Sequence, residues 1–201
     1  ATGGDAISAD TTSAAGGSGA WTTLSGPTVN GTAGDLDAGT ITFTIDDASE
    51  FEWRSGQGTA GVSGAGCGTL AVGSGPNVSG AALSLTLTGD SVGTCVVTFS
   101  GLQVRPTAAG AAPLESSTIT ASGLVTGNAG TLTVVPGAPV LTFTQGNIGD
   151  AASQANLSPQ PVVHSEDKFS NPRTGDPVTL SIKPGTGTTG AVLGCASNTL
   201  S

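Results

Sequence analysis

The chain of 201 residues has no methionine and no tyrosine, one histidine and two tryptophans. Charged residues make up 9% of it, against about 25% in ordinary globular proteins. Each shortage excludes something. Five Lys and Arg stand against fourteen Asp and Glu, for a net charge of −9. That balance lacks the basic surface that nucleic acids and anionic membranes attract. Mean hydropathy is +0.16, yet no apolar run approaches the roughly 20 residues of a membrane-spanning helix. No HExxH, CxxC or Walker A pattern occurs, which removes the commonest zinc, redox and nucleotide chemistries. The absence of methionine, including at position 1, reads as a processed or trimmed N-terminus.

What is abundant is Thr, Ser, Gly, Ala and Val. The 33 glycines and 11 prolines suit many short strands joined by tight turns. Thr40–Ile45 alternates Ile41, Phe43 and Ile45 with threonines, the period-2 signature of a strand with one buried face. Leu83, Leu85 and Leu87 alternate with Ser84, Thr86 and Thr88, and Cys95, Val97 and Phe99 share a face in the next segment. Further strands are expected at Ala6–Asp10, Trp21–Val29, Phe51–Arg54, Thr69–Val72, Leu102–Pro106, Ser117–Ser122 and Gly130–Val135. Trp21 and Trp53 are assigned to the core, and the Gly-rich residues 55–68 to a long loop. Helical periodicity is absent. This spacing predicts an all-β fold of tandem β-sandwiches.

Pro136-Gly137-Ala138-Pro139 is a compact linker, and the domain boundary is placed there, giving 1–137 and 138–201. In the second domain Pro161–His164 reads as a strand. Phe169–Asp176 carries turn chemistry, and Val178, Leu180 and Ile182 alternate with Thr179 and Ser181 as another strand. Its sixty-odd residues fall short of the about 100 of a typical β-sandwich domain. The shortfall is explained either by truncation or by strands that another subunit supplies across an open sheet edge.

Cys67 and Cys95 are the expected disulfide of a secreted β-protein. It would contribute roughly 3–4 kcal/mol in the chain-entropy picture. Cys195 is left over, and its partner is expected downstream or in another subunit.

Chemistry-bearing patterns are few. The lone His164, beside Glu166, reads as a solvated strand residue rather than a ligand. Gly56/Gly58/Gly61 and Gly185/Gly187/Gly190 match GxGxxG, but neither opens a helix in a βαβ unit. Asp46, Asp47, Glu50 and Glu52 offer hard oxygen ligands that suit Ca²⁺. A solvated acidic turn is the simpler reading of the same four residues, so no metal, other cofactor or catalytic residue is assigned. Asn30, Asn77 and Asn156 head glycosylation sequons.

Two resemblances sharpen the picture. Val163, Asp167, Phe169, Asn171-Pro172, Gly175 and Val178-Thr179-Leu180 resemble the V-x-D-x-x-G-N-P core of bacterial Ig-like domains of the invasin and intimin type. Ser170 stands where Gly is usual, and Arg173 where a small apolar residue is. Ile7–Thr11, Gly16–Pro27, Gly39–Phe43, Leu102–Ala108, Ser117–Gly123 and Gly130–Gly137 resemble a recurrent module of large bacterial surface proteins. The resemblances imply surface-exposed β-sandwiches of unassigned function; with the low charge, the threonine-covered strands and the disulfide, the expectation is a non-enzymatic extracellular or cell-surface protein, a module of a stalk or self-assembling filament. Its partners would be other copies of itself or neighbouring domains, with no nucleic acid and no membrane insertion. The alternatives are an adhesin or carbohydrate-binding module, favoured by an exposed Trp in a groove, and a phage or virion surface protein.

Overall fold

The computed structural model describes residues 3–145, 149, 152, 154–186 and 188–194. The chain divides into two units, Ala1–Gly137 and Ala138–Ser201. Both are built from β-strands, and the described helical structure is limited to a 3-10 turn at Ala9–Thr11 and one α-turn, α1 (Ala108–Ala111).

Unit 1 is centred on β4 (Gly39–Ile45), where Ile41, Phe43 and Ile45 are buried and the threonines face away. β4 pairs antiparallel with β8 (Ala82–Thr88) on one side and β11 (Ser116–Gly123) on the other. The register sets Phe43 opposite Leu83 and Ala121, and Ile45 opposite Ile119. Period-2 alternation thus becomes a continuous apolar face across three strands. β7 (Ala71–Ser79) extends this sheet beyond β8, and β12 (Gly127–Val135) and β1 (Gly4–Ser8) extend it beyond β11. β1 runs parallel to β12, and the other ladders are antiparallel.

Two three-stranded sheets complete unit 1. One has the order β3 (Thr28–Gly31), β9 (Cys95–Ser100), β6 (Thr59–Ser63); the other has β2 (Thr22–Thr23), β10 (Gln103–Pro106), β5 (Phe51–Trp53). Phe99 of β9 meets Phe43 of β4 edge-to-face, with ring centroids 5.1 Å apart, a geometry that aromatic quadrupoles favour. Trp53 is buried, and its Nε1 donates to the Ala81 carbonyl at 2.9 Å.

Several expectations need correction. Residues 55–68 contain β6, which pairs with β9. Gly61 gives this strand no side-chain signature at its centre, and its ladder rests on backbone groups. The Trp21–Val29 segment forms two strands, β2 and β3, in different sheets. Trp21 is half-buried and outside the core.

In unit 2, β13 (Val140–Gln145) pairs antiparallel with β14 (Val162–Glu166). Asp167 then closes a turn: its Oδ1 accepts the N–H of Phe169 and of Asn171, and its Oδ2 accepts the Asn171 side-chain amide. Arg173 donates to both carboxylate oxygens of Asp176, and the Ser165 hydroxyl donates to Oδ2. These bonds, the Arg173 one foremost, hold the Asp176 carboxyl down at about 2. The expected strand at Val178–Ile182 is not formed. Its alternation of burial survives as far as Leu180, but no described segment pairs with it in a ladder.

Candidate functional site

Cys67 is brought to Cys95 by the turn before it. The Cys67 N–H donates to the Gly64 carbonyl and the Gly66 N–H to the Thr94 carbonyl. A Cβ on Gly66 would lie 2.2 Å from the Gly93 carbonyl carbon, so this approach requires glycine. Cys67 and Cys95 form a disulfide across 28 residues of sequence, and Cys95 is fully buried on β9. Cys195 lies outside the described residues.

The four acidic candidates, Asp46, Asp47, Glu50 and Glu52, follow β4, and the structure gives three of them separate partners. Asp46 Oδ2 accepts from the Thr120 hydroxyl. Asp47 Oδ1 accepts the Ser49 hydroxyl at 2.5 Å and the Ser49 N–H at 2.8 Å, which lowers its carboxyl below the ordinary 3.8. Glu52 Oε1 accepts from Arg105 Nε at 2.6 Å. Glu50 has one buried oxygen, Oε2, without a hydrogen-bond partner. Burial, then the charges of Asp47 and Glu115, raises its carboxyl above the ordinary 4.5. Among the described residues no three His, Cys, Asp or Glu side chains gather as metal ligands. Three of these carboxylates serve cross-strand bonding, turn capping and an ion pair, and Glu50 stands apart from them.

Across the molecule the other candidates stand apart. His164 is exposed on β14, opposite Thr142. Gly58 and Gly61 lie at and within β6, and Gly185 and Gly190 in turns, while Gly187 lies outside the described residues. Asn30 on β3, Asn77 on β7 and Asn156 are exposed. A cavity of about 460 Å³ is lined by Phe51, Glu52, Trp53, Val78 and Ala81 among others. Its one ionisable side chain, Glu52, is already paired with Arg105.

The sequence reading missed a polar and aromatic cluster on the outward face of the β2–β10–β5 sheet. On β10, Val104 and Pro106 are buried, so Gln103 and Arg105 face the other way; on β5, Glu52 does the same between Phe51 and Trp53. The Arg105 guanidinium lies 4.1 Å from the Trp21 ring centroid, and its Nη1 donates to the Gly19 carbonyl. Arg54, exposed at the end of β5, lies 5.8 Å from the same ring. Its Nη1 donates to Gln103 Oε1 at 2.7 Å, and Gln103 Nε2 donates to the Thr23 hydroxyl. The available signal was composition: Arg54 and Arg105 are the only cations in residues 1–137.

No protein-family model, curated protein or solved structure matches this chain. The β-rich architecture and the Cys67–Cys95 disulfide therefore carry the functional reading.

Proposed function

We propose that this chain is an architectural, non-enzymatic extracellular module of a cell-surface stalk or self-assembling filament, made of a β-sandwich unit followed by a partial Ig-like one. The observation that carries the reading is the Cys67–Cys95 disulfide, because such bonds persist in oxidising compartments. Sandwich packing in unit 1 is supported by two contacts: Phe43 of the six-stranded sheet meets Phe99 of a three-stranded one, and Trp53 bonds the Ala81 carbonyl just before β8. The Ig-like reading of unit 2 is supported by its Asp167-to-Asn171 turn. Ser170, at the position where the resembled pattern has Gly, takes φ +66°, a region that favours glycine.

The carbohydrate-binding alternative needs a free aromatic platform. Trp53 is buried, and Trp21 has Arg105 4.1 Å from its ring centroid. The test is immunogold labelling of unpermeabilised source cells with an antibody against unit 1. Label on the cell exterior or on filaments is expected. Label confined to the cytoplasm sinks the proposal.

A further inference from the structure

We propose that the Trp21–Arg54–Arg105 face of unit 1 is a docking surface for a second copy of this chain, which presents a carboxylate-bearing turn to Arg54. The inference rests on the architectural reading above and gives that reading a contact.

Three observations converge. First, both cations of residues 1–137 and the one tryptophan outside the core share one outward sheet face. Trp and Arg are among the side chains that dominate protein–protein binding energy, and the outward positions of β4, β8 and β11 carry Ser and Thr apart from Ala82.

Second, the face is already ordered. Arg105 is held by Glu52, by the Gly19 carbonyl and by the indole. Gln103 fixes one Arg54 nitrogen while Thr23 accepts from Gln103. A partner would spend little conformational entropy in fixing these groups. The Nε and Nη2 of Arg54 make no hydrogen bond within the described chain, and a guanidinium edge matches a carboxylate with two parallel bonds.

Third, the charge complement is this protein itself. Unit 1 holds ten carboxylates against two arginines. Asp5, Asp35, Asp46 and Asp47 accept from hydroxyls or backbone amides. Each presents carboxylate oxygens that a cation on a neighbouring copy can meet. Repulsion between two acidic copies is screened beyond about 8 Å at physiological salt, so the local pairs decide the contact.

The test is sedimentation velocity of the full chain at physiological salt, at concentrations up to about 1 mM. Two variants, Arg54→Ala and Lys183→Ala, each remove one positive charge, the second from an exposed site in unit 2. Thermal unfolding checks that both fold. Self-association of the unaltered chain is expected, weakened about tenfold or more by Arg54→Ala and unchanged by Lys183→Ala. Equal association by all three chains overturns the docking surface and leaves the stalk or filament reading standing. A chain that stays monomeric throughout overturns the second-copy proposal. If that monomer also binds an acidic polysaccharide in an Arg54-dependent way, an adhesin replaces the architectural reading.

Discussion

The two units draw on the same residue types and bury different ones. Every buried apolar side chain among the described residues, from Ile7 to Val134, belongs to unit 1. In unit 2 the buried side chains are polar: Ser165, Asp167 and Asn171. Of the nine exposed large hydrophobics among the described residues, seven, Phe143 and Val192 among them, lie in unit 2, the shorter of the two. Alternation alone does not separate the units, since Leu83-Leu85-Leu87 and Val178-Leu180-Ile182 follow the same pattern. What separates them is a second layer. The leucines of β8 lie in a sheet whose apolar face meets Phe99. A period-2 pattern reports that a strand can bury one face; a facing sheet decides whether it does.

The sharpest way to break this comparison uses one residue type in two places. Phe43 is fully buried and Phe143 is 61% exposed. Phe43→Ala removes a ring packed against Phe99 and opposite Leu83 and Ala121. It is expected to cost about 3–5 kcal/mol through lost transfer energy and the cavity left behind. Phe143→Ala, on the open sheet of β13 and β14, is expected to change stability by less than about 0.5 kcal/mol. Urea unfolding of each variant checks the pair. Equal losses would mean that Phe143 is covered in solution and that the contrast between the units is false.

Unit 2 should instead fail through its polar turn. Asp167 is 3% exposed and accepts hydrogen bonds from the Phe169 N–H and from the backbone and side-chain amides of Asn171. Asp167→Ala strands buried donors, which costs about 1–3 kcal/mol. The expected outcome is faster amide exchange over Val162–Arg173 with unit 1 protection unchanged. Loss of protection in both units would show that the turn supports more than its own unit.

Legibility in the sequence followed the same division. β4, β8, β9 and β11 could be read because each pairs a strict alternation with real burial. β6 could not, because Gly61 leaves its ladder without a side-chain pattern. Val178–Ile182 misled for the opposite reason: its side chains alternate, but no described strand pairs with it. At the candidate site, the Cys67–Cys95 disulfide was inferred from sequence. The four acidic residues after β4 are close in sequence but take different partners: β11 takes Asp46 through Thr120, and β10 takes Glu52 through Arg105. The Arg54–Trp21–Arg105 cluster joins residues up to 84 apart in sequence through strand order, which no spacing rule reaches.

A smaller effect than the loss of Asp167 tests the turn at its one strained residue. Ser170 sits at φ +66°, where a Cβ crowds the backbone and costs an L-residue roughly 1–2 kcal/mol. It is held there because Asp167 binds the N–H groups of Phe169 and Asn171 on either side, and the Ser170 N–H itself donates to the Asp167 carbonyl. Ser170→Gly relieves the crowding, and glycine's greater freedom in the unfolded chain offsets part of the gain. A net stabilisation of up to about 1 kcal/mol is expected, read as slower amide exchange around Asp167–Asn171. Applied to Asp167→Ala, the same glycine should gain less, because the turn no longer imposes the positive φ. Equal gains in both backgrounds would show that the backbone takes this conformation without Asp167, and the polar turn would lose its place as the support of unit 2.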